Sequence, residues 1–272
     1  MYFYHHKKNN LKKKKTLGQH FLNDGNISEA IVAEITQNLS YADTVVEVGP
    51  GEGALTQYLM QLPEAVAIYL VELDARLLPT LQKKYGSRVT KIIYKDILQL
   101  NIAQSLPASF MLAGNFPYNI SSQIVFKVIE NREQIPVMIG MFQKEVAQRI
   151  TASAKNRDYG ILSVLTQQWY DAEYLFEVSP EKFDPPPKVW SAVIRLKRKT
   201  NPLLVDETHF RQVVKNAFSQ RRKKLRNALH LYADKFDKID HLQILDLRAE
   251  QLSVADFVLL TNTLYPQSRV FL

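Results

Sequence analysis

Hydrophobic positions along this chain fall into two alternating patterns. Short apolar runs, many of them β-branched, stand at TVVEVG (44–49), AVAIYLVE (65–72), VTKIIY (89–94), SFMLAG (109–114) and VMIGMF (137–142). Each has the length and residue type of a buried strand. Between them lie segments of helical period: ALTQYLMQL (54–62), ARLLPTLQKKY (75–85) and SSQIVFKVIENRE (121–133). This alternation predicts an α/β fold, a parallel sheet with helices on both faces. YDAEYLFEV (170–178) and SAVIRLK (191–197) read as two more strands, with an antiparallel pairing open to them across the loop SPEKFDPPPKVW. Beyond residue 200 the period is purely helical, at THFRQVVKNAFSQRRKKLRNALHLY (208–232), HLQILDL (241–247) and SVADFVLLTNTLY (253–265). The expected organisation is a disordered basic segment over 1–15, a sheet domain over 16–200 and a small all-helical domain over 201–272.

Composition narrows the function classes. With 46% hydrophobic and 23% charged residues, the 272-residue chain has an ordinary globular balance. It has no cysteine, so disulfides, thiolate metal sites and cysteine nucleophiles are excluded. No apolar run suits a signal peptide or a membrane span, and a cytoplasmic protein is expected. The net charge is +8, and it is clustered. Six lysines and no acid precede Leu22, and seven basic residues and no acid lie between Thr208 and Ala233. One such cluster is ordinarily a solvated face; two in a basic protein point towards a nucleic-acid partner.

Candidate chemistry collects where the strands end. EVGPGEGALT (47–56) places Gly49, Gly51 and Gly53 in a turn after the first strand. The spacing is not that of a dinucleotide fingerprint, and Glu47 would repel a phosphate but suit an ammonium group. Glu72, 23 positions after Gly49, sits where nucleotide-binding α/β folds place the acid that accepts from ribose hydroxyls. Asp96 follows the third strand, though it could equally cap a helix, and Asn115 follows the fourth. An adenosine bearing an amino-acid tail would fit this edge. After the fourth strand comes Asn115-Phe116-Pro117-Tyr118. The exocyclic amine of adenine is a poor nucleophile, because its lone pair is delocalised into the ring. The Asn115 side chain and a neighbouring backbone carbonyl could accept its two N–H bonds and aim the lone pair. Pro117 would fix the turn, and Tyr118 offers a flat face to an unstacked base. A proline turn with two core aromatics is the plainer alternative.

GQHFLND (18–24), VEVGPGEGALT, VELD, KDIL, GNFPYNISS, FDPPPKVWSAVIRL, FSQRRKKLRNAL and LRAEQLS resemble, in order, the blocks of the ribosomal RNA adenine dimethyltransferases, over about residues 10 to 265. The likeness is strongest to the small-subunit dimethyladenosine transferases. It implies a class I methyltransferase (Rossmann-like) sheet and a small helical RNA-binding domain. The implied activity is S-adenosylmethionine-dependent N6-dimethylation of two adjacent adenines of small-subunit ribosomal RNA during ribosome biogenesis. By position, His20, Leu22, Gly49, Glu72, Asp96 and Asn115 would contact S-adenosylmethionine. Asn115 and the Phe116 carbonyl would hold the amine, Tyr118 would stack on the base and Phe183 would add a second aromatic wall. Arg221, Arg222, Lys223, Lys224 and Arg226, read as two turns of one helix, would meet phosphates. Many relatives carry asparagine at position 20 and leucine or isoleucine at 116, so His20 could instead be a structural group. No metal and a monomer are expected. A relative acting on large-subunit RNA, an inactive assembly factor, and a DNA or protein methyltransferase stay open as rival readings.

Overall fold

The computed structural model describes residues 20–266, so the expectation for segment 1–15 lies outside the described residues. Among the described residues nine strands form: β1 (Phe21–Leu22), β2 (Thr44–Val48), β3 (Ala67–Glu72), β4 (Lys91–Tyr94), β5 (Met111–Asn115), β6 (Val137–Gln143), β7 (Tyr170–Val178), β8 (Phe183–Asp184) and β9 (Ser191–Arg198). Seven build the main sheet, in the order β4-β3-β2-β5-β6-β9-β7. Strands β4, β3, β2, β5 and β6 run parallel, while β9 is antiparallel to both β6 and β7. Every residue of β2 is buried, as suits a central strand covered on both faces. From β2 the chain winds outwards to β3 and β4, then returns to β2's other side to lay down β5 and β6. The reversal opens a crevice between the carboxyl ends of β2 and β5.

Helices cover both faces. On one, Ile31 and Ile35 of helix Gly25–Gln37 pack with Leu59, Leu81 and the β2 side chain Val45. Asp24 caps that helix by accepting from the Asn26 N–H at 3.0 Å. On the other, Ile124 and Val128 of helix Ser121–Glu130 join Val46, Phe142 and Ile194. Phe210, Val214, Leu225, Leu229 and Leu260 of the C-terminal helices belong to this same apolar cluster. The helical tail therefore shares a core with the sheet.

The basic stretch departs from the expectation of one helix. Helix Glu207–Ser219 ends at Gln220 and helical structure resumes only at Leu225–Ala228. The reason is a competing partner. Leu225 N–H donates to the Leu247 carbonyl at 2.7 Å and Arg226 N–H to the Leu245 carbonyl at 2.9 Å. Arg221 to Lys224 consequently lie in an exposed turn. HLQILDL likewise gives only one 3-10 turn, Asp240–Leu242, stopped by Gln243 at φ 52°. Phe210 is fully buried at the seam between tail and sheet. Phe210→Ala is expected to cost about 3–5 kcal/mol and to shift one cooperative denaturant transition, read by circular dichroism. Independent melting of the tail would show that the cores are separate.

Candidate active site

The glycine turn after β2 is held by a buried carboxylate. Gly51 has φ +59°, and a Cβ there would stand 2.7 Å from the Phe21 ring, so only glycine fits beneath that ring. Its N–H donates to Glu72 Oε2 at 3.1 Å, while Glu72 Oε1 accepts from the Asp74 N–H at 2.7 Å. Burial pushes the Glu72 carboxyl up, and these amides pull it back down. Glu47 takes a different part from the one its position suggests. Its side chain is buried under the loop, where Thr56 Oγ1 donates to Oε2 at 2.7 Å. Burial raises its pKa to about 8. It fastens the helix Thr56–Leu59 to β2 rather than facing a ligand.

A cavity of about 260 Å³ opens over this turn, and its lining includes His20, Gly49, Glu72, Asp96, Asn115 and Tyr118. These six positions, all picked out from the sequence, thus meet in one space. Asp96 caps no helix; Oδ1 accepts from the Leu98 N–H at 2.9 Å in a turn. Asn115 Nδ2 donates to the His20 carbonyl at 2.9 Å, which leaves Oδ1 as the free end of the amide. The His20 ring stacks on Tyr118 with centroids 5.5 Å apart, and its Nδ1 lies 2.7 Å from the Pro185 carbonyl. The Tyr118 hydroxyl pairs with Ser191 Oγ at 2.5 Å, and burial raises its pKa.

Two of the residues carried over by resemblance do not line this cavity. Leu22 and Phe183 are register partners in the β1–β8 pair, and both side chains sink into the apolar cluster under the turn. Alternation along β1 explains this, since Phe21 faces the cavity and Leu22 the core. Phe183 accordingly packs in the apolar cluster rather than against the cavity. Phe116 lines the cavity with a ring almost wholly buried, 5.1 Å from Phe142. That ring lies against Gly140, where a Cβ would come within 2.1 Å of it. Sequence reading missed Gly140 and Ser191. A glycine inside the apolar run VMIGMF was the available signal for a close approach; Ser191 had only its place in the FDPPPKVWS block.

The five basic residues of the tail are not equivalent. Arg221 pairs with Glu250 at 2.9 Å, Lys224 with Asp246 at 3.0 Å and Arg226 with Asp240 at 3.6 Å. Among the described residues, Arg222 and Lys223 make no ion pair and are exposed. Nor does any group of His, Asp and Glu among them suit a metal ion. No described helix is long and apolar enough to cross a membrane.

A sheet of this order, with only β9 reversed and a crevice over a glycine turn, defines a class I methyltransferase. A family model described as "Ribosomal RNA adenine dimethylase" matches residues 10–265, and the chain belongs to that family. It is 49% identical over 255 residues to "Ribosomal RNA small subunit methyltransferase A" of Cytophaga hutchinsonii, covering 93% of this chain and 98% of that one. The protein of the same name in Flavobacterium johnsoniae is also 49% identical, covering 93% and 95%. A dimethyladenosine transferase from Plasmodium falciparum has the same fold, with TM-score 0.77, 24% identity and coverage of 90% and 96%. The 23S rRNA methyltransferase ErmE superposes with TM-score 0.70 at 26% identity, covering 90% and 99%.

Glu47 makes stability depend on pH. Its folded pKa is about 8 against an ordinary value of 4.5, so between those values the folded state keeps a proton that the unfolded chain releases. Its contribution therefore falls as pH rises through that window. Glu47→Gln is expected to remove this slope, leaving a protein more stable than wild type above the window and similar below it. Thermal unfolding across pH would check this, and an unchanged slope would contradict it.

Proposed function

We propose that the protein transfers methyl groups from S-adenosylmethionine to N6 of two adjacent adenines in small-subunit ribosomal RNA, in the cytoplasm. The observation that carries this reading is the Asn115 amide, whose nitrogen is already committed to His20. A pocket that presents the Asn115 oxygen suits a ligand that donates N–H, as an adenine amine does. The names of the relatives at 49% identity support the small subunit over the large one.

The residues fit the donor. A Cβ on Gly49 would meet nothing within 4 Å, so the turn shows bare backbone to the space beside it. Glu72 keeps lone pairs for ribose hydroxyls beyond those taken by Gly51 and Asp74, since a carboxylate has about four acceptor sites. Asp96 lines the same cavity just past the neighbouring strand β4, where the adenine of the donor would rest. When bound, S-adenosylmethionine supplies an electrophilic methyl group on a sulfonium. Asn115 Oδ1 and the Phe116 carbonyl accept the two N–H bonds of the target amine and aim its lone pair. Tyr118, tethered through Ser191, sets the plane of the base. Orientation of this kind supplies effective molarities of roughly 10⁵–10⁸ M. After transfer the nitrogen is positively charged and acidic, so its proton leaves to water without a dedicated base. The exposed Arg222 and Lys223 meet RNA phosphates, while Arg221, Lys224 and Arg226 hold the turn in shape.

Incubation of labelled S-adenosylmethionine with small subunits lacking adenine dimethylation is expected to yield labelled dimethyladenosine. Label in large subunits or DNA instead would overturn the choice of substrate. Asn115→Ala should lower transfer roughly 10²–10³-fold with subunit binding retained; wild-type turnover would remove the mechanism. Replacing Arg222 and Lys223 with alanine should flatten the salt dependence of RNA binding, each lost phosphate contact lowering the slope by about 0.7–0.9. An unchanged slope in a filter-binding series would place both side chains away from RNA.

A further inference from the structure

The loop from β7 to β9 carries exposed groups that the reaction above leaves unused. Residues 185–190 read Pro-Pro-Pro-Lys-Val-Trp. Three prolines fix φ, so this backbone has little entropy left to lose on binding. The loop is also fastened beside the target cavity at both ends. At one end the Pro185 carbonyl meets the His20 ring; at the other, Ser191 holds the Tyr118 hydroxyl. Lys144 N–H adds a third tie, to the Trp190 carbonyl at 2.9 Å. Between these ties Lys188, Val189 and Trp190 all face solvent.

Trp190 is 49% exposed and Val189 43%. A half-exposed tryptophan on a stiff loop gives up apolar burial that the fold does not recover elsewhere. The other tryptophan, Trp169, packs against the core with the Arg132 guanidinium 4.0 Å from its ring. Over Trp190 stands Lys144, its Nζ 5.8 Å from the ring centroid and 2.7 Å from Glu177. An exposed aromatic ring beside cations, on a loop tied to two residues of the cavity, has the parts that single-stranded RNA recognition uses. Extrusion of an adenine also strips a stacking partner from its neighbour.

We propose that Trp190 replaces that lost partner, stacking on the nucleotide next to the target adenine while Lys188 meets the adjoining phosphate. This rests on the RNA-methylating reading above. The rim makes Trp190 a positioning residue for the substrate, with no part in the transfer step itself.

Steady-state transfer to undimethylated small subunits separates binding from chemistry. Trp190→Ala is expected to raise KM by roughly 5- to 150-fold, the range for one lost base–aromatic stack, with kcat little changed. Trp190→Phe should largely restore KM, whereas Trp190→Leu, which keeps bulk without a π face, should not. Titration with a short single-stranded RNA containing two adjacent adenosines should quench wild-type tryptophan fluorescence, and Trp190→Phe should abolish that quench. An unchanged KM in Trp190→Ala would overturn the proposal. Full rescue by leucine without RNA quenching would do so too, since it would point to a protein surface on the rim. Absence of any methyl transfer by the wild type would sink the proposed function instead, and the quench would still test the stack.

Discussion

A single hydrogen bond, from the Asn115 amide to the His20 carbonyl, joins residues 95 positions apart and sets the geometry of the site. It fixes the last residue of β5 against the segment leading into β1. Because β1 pairs with β8, the same bond sets where the β7–β9 loop begins. Through the His20 ring it also fixes Tyr118. A neutral hydrogen bond is worth only about 0.5–1.5 kcal/mol net. Its effect here exceeds its energy because it decides which end of the amide is free.

The strand order supplies the rest of the frame. Reversal of winding beside β2 leaves a crevice, and the sequence places a cavity-lining residue at or just after the end of each of four neighbouring strands. Glu72 then draws the glycine turn onto β3 through the Gly51 and Asp74 amides. Both acids near the turn are buried and raised in pKa, but for different ends. Glu72 lines the cavity, while Glu47 secures a helix from beneath.

Much of this was legible in residue order, and the misses have physical causes. The five parallel strands announced themselves because short, β-branched apolar runs have no other stable home in a chain of this pattern. Gly49, Glu72, Asp96 and Asn115 could be picked because strand ends in open sheets converge. Leu22 and Phe183 could not be placed, since a two-residue pairing leaves no alternation long enough to read. The break after Ser219 was hidden because helical period cannot reveal a tertiary partner. The carbonyls of Leu245 and Leu247 that capture the chain there come from some 20 residues further on. Gly140 was overlooked for a related reason. What makes it necessary is the Phe116 ring just past the neighbouring strand, not anything in its own run.

The commitment of the Asn115 nitrogen to His20 also bears on when the enzyme lets go. A pocket of acceptors grips an amine only through its hydrogens. Unmodified adenine brings two, the singly methylated base one and the dimethylated base none. Each transfer therefore erases part of the grip that made it possible. The singly methylated base keeps one anchor and can stay for a second round, whereas the finished base has nothing left to donate. On the proposed mechanism, departure of the product and a count that stops at two both follow from the polarity of one side-chain amide.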